Sequence, residues 1–545
     1  MPPADAASEP VPPATRWLLA AVFAATCAVN LLPRQTWIVD DALIFQIFVR
    51  NALSGAGLVY APGNPVEGYS SPLWTLILLA SGWIGASGFT ASRALSAVCA
   101  MAACALIAFV PARRSNLRLL LVAGLLLPMQ SALLWFASTG MDTSLMTLVL
   151  AAGAVGVMRG QLHVTAAMAG LAAITRPEGV LYSLPLCLWL AAECKRSSCP
   201  ARTRWVVASL AAAPAIAWEI FRLCSYGALI ANSAYAKLGA SGMLDSGASG
   251  LAYLLESFFQ LPGPWLLALA GAAFLRKRLA MPGDAVAATL VALIAVGTLF
   301  AFAVKGDWMP GSRLFVPLIP PMILVALHGA LTPRTPKVRA LTAGFALAGV
   351  LTLAQQILDY VPGQRPHLAQ WPAPLSRAWN ALPATRLEHF FVHYMLRYTL
   401  PGDTVAHFNV GESGYLACDV NILDQYGLVS RYESEFLHGL HTPAELAEHF
   451  RALSPSLVFF LRSDVTRQPA MRVGAALAPE LARNYTQVSS APWFGKNTLE
   501  VHVRNDALNR VADPARFARW QQQSRGLVFS ARIMLAKSLG SADRY

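Results

Sequence analysis

Long apolar segments dominate this chain, and they decide what it can fold into. About a dozen of them lie at approximately residues 17–33, 72–87, 91–111, 118–138, 141–158, 162–175, 179–193, 204–222, 251–275, 284–304, 312–330 and 338–356. A helix that crosses a bilayer needs about 20 mostly apolar residues. Only 13% of the 545 residues are charged, which is about half of the share in ordinary soluble domains. The sequence therefore predicts an α-helical, polytopic membrane protein.

Positive charge concentrates between these segments. The chain carries 42 Lys and Arg against 29 Asp and Glu, a net charge of +13. Many of the cations lie in short runs, at RRSNLR (113–118), CKRSSCPARTR (194–204), RKR (276–278) and PRTPKVR (333–339). Cytoplasmic loops of membrane proteins are enriched in Lys and Arg. The pattern therefore predicts cytoplasmic loops and a cytoplasmic N-terminus, and no groove of basic and aromatic residues indicates a nucleic-acid partner.

The enrichment of Lys and Arg in cytoplasmic loops also limits the number of membrane crossings. The apolar segments predict about 11–12 of them. If every apolar segment crossed the bilayer, 72–87 and 91–111 together would place Arg113 and Arg114 outside. Segment 72–87 is short and follows a proline, so we expect it to cross incompletely. The other eleven crossings then place the part of the chain after residue 357 outside the membrane.

Composition divides the chain into three parts. Residues 1–15 are rich in Pro and Ala, and we expect a flexible cytoplasmic tail there. Residues 16–357 hold the membrane helices, and 34–71 within them forms a first extracytoplasmic loop with an interfacial helix. The first apolar run lacks a small-residue cleavage site, which favours an uncleaved membrane helix. Residues 378–545 contain no run that could span a bilayer and predict a soluble periplasmic domain.

Strand and helix patterns alternate in that soluble part. Apolar and β-branched runs predict strands at 403–409, 420–425, 456–461 and 497–503. The pattern at 442–453 predicts a helix entered through Thr442 as its N-cap. Such alternation is typical of a small α/β unit. The basic, amphipathic stretch 514–538 is expected to rest on a membrane or on the domain itself.

Eight scattered cysteines do not predict a disulfide framework. Cys194 and Cys199 share a basic loop without a nearby His, which argues against a metal site. Cys224 and Cys418 could meet outside the membrane, and the sequence leaves their pairing open.

Acidic residues collect in the loops predicted to face outward. They are Asp40 and Asp41 after the first helix, Glu67 later in the first loop, Asp142 in TGMDT (139–143) and Glu178 in TRPEG (175–179). Asp is a frequent helix N-cap, so the adjacent pair alone fits a structural role equally well. Several acids on one face of a bilayer favour a functional site instead.

Cations on the same face need their own explanation, because the positive-inside rule does not place them there. Arg176, Lys237 and Arg313 each lie beside a short polar or proline-containing turn. Each alone fits a snorkelling anchor or a salt-bridge partner. Together they fit an anionic head group such as phosphate. Candidate sugar or acceptor ligands in these loops are Asn51, Tyr69, Tyr235, Asp307 and Trp308. Tyr and Trp also fit ordinary interfacial aromatic positions.

One long string in the first loop carries a resemblance. WIVDDALIFQIFVRNALSGAGLVYAPGNPVEGYSSPLWT (37–75) resembles the first-loop signature of GT-C glycosyltransferases similar to the mycobacterial terminal β-(1→2)-arabinofuranosyltransferase. The order of the later motifs fits as well, namely TGMDT, TRPEG, YGALIANSAYAK (226–237), KGDWMPGSRLFVPLIP (305–320) and LDQYGL (423–428). The resemblance covers residues 17 to about 430. The acid of TGMDT is Asp where Glu is expected, and the chain diverges after LDQYGL, so the sugar and the acceptor stay open.

The resemblance implies a GT-C membrane fold in the bacterial cytoplasmic (inner) membrane. It implies that the donor is a polyprenyl-phosphate sugar and that the active site lies on the extracytoplasmic face. The acceptor would be a cell-envelope glycan, lipid or protein. The sugar would be arabinofuranose or another pentose, and the first-loop acid is the expected catalytic base. The charge pattern agrees, with acids for an acceptor hydroxyl and cations for a departing phosphate.

We expect Asp41, or alternatively Asp40, to accept the proton of the attacking hydroxyl. Lys237 and Arg313, together with Arg176, would stabilise charge on the leaving lipid phosphate. The charge count requires no cofactor, although clustered carboxylates also suit a divalent metal.

Two other classes of protein compete with an enzyme. A polytopic transporter of a lipid-linked or anionic substrate predicts ionisable groups near mid-membrane and related halves. An assembly or receptor protein would make the outer acids dispensable. For the C-terminal domain we expect guidance of the acceptor or a cover over the cavity. Its most suggestive polar residues are His407, Glu412, Asp424 and Gln425, each of which also fits a strand end or a loop.

Overall fold

The computed structural model describes most of the chain. The described residues are 9–32, 39–240, 247–279, 284–331 without 308 and 310, 338–360, 391–462 without 392, 469–492 and 498–523 without 512. Their arrangement is a helical N-terminal part followed by a small C-terminal domain built on one sheet.

Helices form the N-terminal part. They are α1 (Pro13–Leu31), α2 (Asp40–Leu53), α3 (Pro72–Trp83), α4 (Phe89–Leu106), α5 (Leu117–Leu126), α6 (Ser131–Ser138), α7 (Thr143–Met158), α8 (Leu162–Thr175), α9 (Gly179–Arg196), α10 (Ala201–Tyr226), α11 (Asn232–Ala240), α12 (Gly247–Gln260), α13 (Pro262–Leu279), α14 (Ala285–Ala303), α15 (Ile319–Leu331) and α16 (Val338–Tyr360). Short 3₁₀ turns occur at Ile107–Phe109, Arg114–Asn116 and Arg313–Leu318.

Several of these helices are long and apolar enough to cross a membrane. Five spans qualify in the described residues, namely Pro13–Leu31, Phe89–Phe109, Ala201–Tyr226, Ala285–Ala303 and Arg313–Leu331. A sixth results if the pair Arg114–Leu126 and Ser131–Ser138, bent by 50°, counts as one broken span. Shorter apolar helices of 10–17 residues are Pro72–Trp83, Thr143–Met158, Leu162–Thr175 and the part Ala343–Gln355 of α16. The polytopic membrane class is therefore confirmed, while the eleven crossings stay a prediction.

Helix α3 corresponds to the apolar segment 72–87, which the charges of the loops predict to cross the membrane incompletely. It has 12 residues and is therefore about 18 Å long at 1.5 Å per residue. The hydrocarbon core of a bilayer is about 30 Å thick. A helix of this length is shorter than the core, and the incomplete crossing of 72–87 stays a prediction.

Helix α2 begins where the first-loop pattern predicts a helix, but its surroundings differ from those of an interfacial helix. Residues 42–49 are all buried. The helix packs on α3 and on a short helix of the C-terminal domain, Val410–Leu416. Protein, rather than the bilayer surface, therefore surrounds the middle of α2.

The C-terminal domain contains one five-stranded sheet with helices beside it. Its strands are β1 (Thr404–His407), β2 (Asn421–Asp424), β3 (Leu457–Arg462), β4 (Tyr485–Pro492) and β5 (Thr498–Arg504), in the spatial order β2-β1-β3-β5-β4. β1 is parallel to β2 and β3, whereas β5 is antiparallel to β3 and β4. The helices are α17 (Val410–Leu416), α18 (Arg431–Leu437), α19 (Pro443–Leu453), α20 (Pro469–Asn484) and α21 (Pro514–Gln523). The predicted α/β class is confirmed.

The structure bears on two local predictions in this domain, the N-cap at Thr442 and the position of the amphipathic stretch 514–538. Thr442 caps α19, since its Oγ1 accepts a hydrogen bond from the Glu445 backbone N–H at 3.2 Å and its own N–H donates to Glu445 Oε2 at 2.7 Å. Helix α21 lies against the domain, because the Arg516 guanidinium pairs with Asp419 and Trp520 is buried. The remainder of the stretch 514–538, from 524 onward, lies outside the described residues.

All eight cysteines fall within the described residues, and all are free thiols. Cys224 and Cys418 therefore do not form a disulfide in this structure.

Candidate active site

Arg313 lies at the centre of a group of charged side chains that come from distant parts of the chain. Its Nη1 is 3.3 Å from Asp307 Oδ2 and 3.7 Å from Asp41 Oδ2, and its Nη2 is 3.3 Å from Asp142 Oδ1. The Arg313 side chain is 3% exposed. One guanidinium thus faces the start of α2, the start of α7 and the turn before α15.

The turn that precedes Arg313 explains how it reaches this position. Ser312 has a positive φ of 51°, a left-handed conformation that turns the chain into the 3₁₀ segment. Ser312 Oγ donates to Gln260 Oε1 at 2.6 Å. The Leu314 backbone N–H donates to Tyr253 Oη at 3.2 Å. These contacts hold the backbone on both sides of Arg313.

A second arginine joins the group from the TRPEG motif. Arg176 Nη1 is 3.2 Å from Asp142 Oδ1, and Arg176 Nε donates to Glu178 Oε1. Burial acts to lower the pKa of Arg176, but Glu178 and Asp142 outweigh it and raise the pKa above its ordinary value. The close approach of α9 to α8 requires Gly179, because a Cβ there would lie 1.7 Å from the Ala172 carbonyl oxygen.

Both arginines share one oxygen of Asp142. Asp142 is fully buried, and its other oxygen, Oδ2, has no hydrogen-bond partner among the described residues. The same holds for Arg313 Nε. A buried polar atom without a partner costs about 1–3 kcal/mol, and folded proteins retain few of them. Two such atoms lie in this one ion-pair network, where a polar ligand can supply their partners.

Asp41 is the most open member of this network, which we call the Arg313 cluster: Asp41, Asp142, Arg176, Glu178, Asp307 and Arg313. The Asp41 side chain is 21% exposed, against 13% for Asp307 and 0% for Asp142. A base that takes a proton from an incoming molecule has to be reachable. Within the cluster, Asp41 best meets that condition.

Asp40 is adjacent in sequence but has different partners. Its Oδ1 accepts a hydrogen bond from the Glu412 backbone N–H at 2.6 Å. In the amide orientation that satisfies both of its ends, Asn409 Nδ2 donates to the same oxygen at 2.7 Å. Burial and the neighbouring Asp41 carboxylate raise the pKa of Asp40 to about 7, against the backbone N–H groups of Glu412 and Gly411. The two candidate bases therefore face different parts of the protein.

Glu67 was expected to join the other acids, and the structure gives its carboxylate partners on α10. Glu67 Oε1 accepts a hydrogen bond from Trp218 Nε1 at 3.1 Å, and Glu67 Oε2 accepts one from Arg222 Nε. Burial raises the pKa of Glu67, although Arg222 acts in the opposite direction. The first loop returns onto α10 after α2, which brings Glu67 to a buried arginine there instead of to the Arg313 cluster.

Asn51 and Tyr69 form hydrogen bonds to other residues of the protein. Asn51 Nδ2 donates to the carbonyl oxygens of Val59 and Tyr60 at 3.0 and 2.8 Å. Tyr69 Oη lies 3.0 Å from Tyr226 Oη, and the Tyr69 ring is almost completely buried. These contacts fit the shaping of the first loop better than the predicted sugar or acceptor binding.

The remaining candidates lie at or beyond the limits of the described residues. The Tyr235 ring stacks on His438 with 3.7 Å between ring centroids, and the Tyr235 carbonyl oxygen is 2.8 Å from His438 Nε2. Lys237 is a residue of α11, but its side chain lies outside the described set, and so does Trp308.

The polar residues of the C-terminal domain are mostly engaged by backbone groups. His407 Nδ1 accepts from the backbone N–H groups of Phe408 and Asn409, and burial lowers the pKa of His407 to about 3. Gln425 Nε2 donates to the Phe459 carbonyl oxygen at 2.9 Å. Burial and these distances favour structural roles for both side chains.

Asp424 organises the LDQYGL turn. Its carboxylate accepts hydrogen bonds from the backbone N–H groups of Tyr426 and Val429, both at 2.8 Å. Burial raises the pKa of Asp424 to about 6, in opposition to these N–H groups. The turn then presents the carbonyl oxygens of Gly427 and Leu428 to Asn232 Nδ2, at 2.7 and 3.0 Å.

Sequence reasoning assigned no role to three of the residues that position this region. Arg222 holds Glu67, Asn232 binds the LDQYGL turn, and Arg50 donates to carbonyl oxygens of α17. Asn232 lies in YGALIANSAYAK, and Arg50 lies in the first-loop string. Both strings carry the family resemblance, and this was the signal that could have drawn attention to Asn232 and Arg50. Neither residue by itself indicated a catalytic or binding role.

Metal binding has little geometric support here. Within the described ranges, no group of three or more His, Cys, Asp or Glu side chains is arranged to hold a metal ion. Metal dependence stays untested.

The described helices and sheet have the GT-C architecture of integral-membrane proteins. ArnT from Cupriavidus metallidurans has this architecture: its structure in the apo state matches with a TM-score of 0.56, covering 90% of this chain and 98% of that chain at 13% identity. Its structure bound to undecaprenyl phosphate matches with a TM-score of 0.51, covering 89% and 97%, also at 13% identity. At such identity the likeness concerns the fold alone.

Sequence similarity points to a particular relative. The terminal β-(1→2)-arabinofuranosyltransferase of Mycobacterium tuberculosis is 29% identical over 252 residues, which cover 41% of this chain. The match spans 38% of the relative's length. No protein-family model matches the chain. The resemblance drawn from the first-loop string and the later motifs is thereby confirmed.

Proposed function

We propose that the protein is a membrane glycosyltransferase that moves a sugar from a polyprenyl-phosphate donor to an acceptor glycan, lipid or protein of the cell envelope. The observation that carries the proposal is the Arg313 cluster, in which acids and arginines from four distant segments meet around buried, unpartnered polar atoms. The GT-C fold and the arabinofuranosyltransferase relative support this class of reaction. The undecaprenyl phosphate in the ArnT structure supports the donor class.

In the proposed step, a hydroxyl oxygen of the acceptor attacks the anomeric carbon of the donor sugar. A new glycosidic bond forms, and the bond between that carbon and the phosphate oxygen breaks. The hydroxyl proton passes to the Asp41 carboxylate, and the polyprenyl phosphate leaves as an anion. Asp41 is favoured over Asp40 because its Oδ2 lies 3.7 Å from Arg313 Nη1, whereas Asp40 accepts hydrogen bonds from the C-terminal domain.

The positive charges of the cluster suit the leaving phosphate, but they are outnumbered by its carboxylates. Arg313 and Arg176 supply positive charge for the leaving phosphate, and both are buried, where such charge acts strongly. The cluster nevertheless holds four carboxylates and two guanidinium groups. A phosphate therefore needs a further cation, and Lys237 is the candidate that the sequence places on α11.

The unpartnered atoms fit the sugar rather than the phosphate. Asp142 Oδ2 is an acceptor and Arg313 Nε is a donor. Sugar hydroxyls both donate and accept, whereas an ionised phosphate oxygen only accepts and is repelled by a carboxylate. We therefore assign the Asp142 and Arg313 pair to hydroxyl groups of the transferred sugar.

The test uses the full-length protein purified into lipid nanodiscs and a polyprenyl-phosphate pentose donor, with arabinofuranose tried first. Asp41→Asn should lower turnover by roughly 10²- to 10⁴-fold, the usual effect of removing a general base. Asp513→Asn is the matched control, because Asp513 is half exposed and pairs with Arg519 in the C-terminal domain. Full transfer by the Asp41 variant would refute the assignment. Substrate flux across liposomes without a glycosylated product would instead favour a transporter.

The proposed location is the bacterial cytoplasmic membrane, with the Arg313 cluster and the C-terminal domain on the outer side. Support comes from the basic runs at 113–118 and 194–204 between membrane segments. Alkaline phosphatase fused after residue 523 should be active, and the same enzyme fused after residue 198 should be inactive. The reverse result would overturn the orientation.

A further inference from the structure

Helix α17 of the C-terminal domain is held along its length by α2. At its beginning, Asp40 Oδ1 accepts the Glu412 backbone N–H at 2.6 Å. At its end, Arg50 Nη1 and Nη2 donate to the carbonyl oxygens of Tyr415 and Gly414, at 3.1 and 3.2 Å. Asp40 and Arg50 are ten residues apart on α2, which corresponds to about 15 Å of helix. Two separate polar contacts therefore fix α17 on α2.

Close backbone packing accompanies these contacts. A Cβ at Gly411 would lie 1.9 Å from the Asp40 carbonyl oxygen, and a Cβ at Gly414 would lie 2.1 Å from Tyr60 Oη. Tyr60 Oη donates to the Val410 carbonyl oxygen at 2.7 Å. Only glycine leaves room for this approach, so α17 lies directly on the backbone of α2 at Gly411 and on the side chains of Tyr60 and Ile47 at Gly414. We call this contact the α2–α17 clasp.

The clasp bears on Asp41 because consecutive residues of a helix point about 100° apart. The rotation of α2 about its own axis therefore decides whether Asp41 faces Arg313. Asp40 and Arg50 contact α17 from two points on α2, and contacts at two points oppose such a rotation. The distance from Asp41 Oδ2 to Arg313 Nη1 is 3.7 Å, so a small turn of the helix would separate the two groups.

We propose that Asp40 is a positioning residue, which holds α2 against α17 of the C-terminal domain so that the adjacent Asp41 faces the Arg313 cluster. The C-terminal domain thereby completes the active site without supplying a reacting group to it. This inference rests on the proposed function, because it assigns the reaction to Asp41. It gives the two adjacent acids different tasks.

Variants on both sides of the clasp test the inference in nanodiscs. Asp40→Asn keeps an oxygen that can accept the Glu412 N–H, so transfer should stay within about 10-fold of wild type. Asp40→Leu removes the acceptor, and Gly411→Ala forces the backbones apart without changing a polar group. Both should lower kcat by about 10- to 100-fold, with the KM for the donor nearly unchanged, since a misplacement of about 1 Å costs up to about 10²-fold.

Hydrogen exchange measured on residues 410–416 reports the clasp without reference to activity. Exchange should be faster in Asp40→Leu and Gly411→Ala than in wild type. Gly344→Ala is the matched control, because a Cβ at this glycine meets nothing within 4 Å. Arg50→Lys, which keeps the charge but donates from a single atom, gives a milder disturbance and serves if Asp40→Leu does not fold.

Two results would overturn the inference. If Asp40→Asn is as inactive as Asp41→Asn, Asp40 takes part in the chemistry itself. If Gly411→Ala exchanges faster at 410–416 but keeps the wild-type kcat, the clasp does not position Asp41. Full activity of Asp41→Asn would refute the proposed function instead, and the exchange data would still show whether Asp40 holds α17.

Discussion

Replacing Arg313 by lysine would test the centre of the cluster while its charge is preserved. Arg313 contacts Asp142 through Nη2 and Asp307 through Nη1, each at 3.3 Å. A lysine ammonium is a single nitrogen and cannot reproduce both contacts in this geometry. Arg313→Lys should therefore lose one hydrogen bond to a charged partner.

The expected magnitude follows from that single bond. A hydrogen bond to a charged group contributes about 1.5–3 kcal/mol. If the bond is lost in the transition state for transfer, the rate falls tenfold for every 1.36 kcal/mol or so. We expect kcat/KM for the lipid-linked donor to fall by roughly 10- to 150-fold. The free energy of unfolding should fall as well, because Asp142 then keeps an unchanged ion pair only with Arg176.

The assay compares single-turnover transfer and thermal unfolding of the same nanodisc preparation. Arg222→Lys is the matched control, because Arg222 is also a largely buried arginine that contacts two acids, Glu67 and Glu219, but lies outside the Arg313 cluster. It should lose stability and keep its transfer rate. Equal loss of stability in both variants, with wild-type transfer by Arg313→Lys, would show that Arg313 is only structural.

Three further predictions concern protonation, metal and the second ion pair. The pKa of Asp40 is about 7 in the folded protein against 3.8 ordinarily, so the folded state retains a proton and loses stability as pH rises from about 4 through 7. Asp40→Asn should therefore gain thermal stability relative to wild type between pH 5 and pH 8, and parallel curves would contradict this. Chelation with EDTA should leave transfer unchanged, and activity restored only by Mg²⁺ or Mn²⁺ would establish a metal. Glu67→Gln should lower the free energy of unfolding by about 1–3 kcal/mol and leave kcat within about threefold, as measured by denaturation and transfer.

Much of the site could be predicted because the positive-inside rule leaves some charges unexplained. Arg176 and Arg313 stood out as cations in outward loops, and the structure brings both to Asp142. The pairing itself could not be predicted from loop membership. Glu67 lies in the first loop like Asp41, yet its partner Arg222 is on α10, and only the path of the folded loop decides between them.

The choice between Asp40 and Asp41 also lay beyond sequence reasoning. Both begin the same helix, and both fit an N-cap or a base. What separates them is a segment about 370 residues later in the chain, since Glu412 and Asn409 donate hydrogen bonds to Asp40, whereas Asp41 lies beside Arg313. Long-range contacts of this kind leave no local pattern in the sequence.

In the C-terminal domain, the strands with apolar runs were predicted and the polar edge strand was not. β1 and β2 fall within the predicted strand segments, and β3 and β5 match theirs with a shift of one residue. β4 reads YTQVSSAP and has a register shift between Gln487 and Ser489. A polar strand at the edge of a sheet lacks the apolar alternation on which the prediction depends. Helix α20 was missed too, and it contains Pro479.

Under the proposed function, the charge of the Arg313 cluster connects the C-terminal domain to donor binding by a second route. The four carboxylates outnumber the two guanidinium groups, so a phosphate cannot enter this set without another cation or a bound proton. Lys237 lies on α11, and α11 is fixed to the C-terminal domain by Asn232 at its first residue and by the Tyr235 carbonyl oxygen that contacts His438. The domain therefore contacts the two helices that carry Asp41 and Lys237. Under the proposed function, the domain therefore holds both the helix that carries the proposed base and the helix that carries the proposed phosphate ligand.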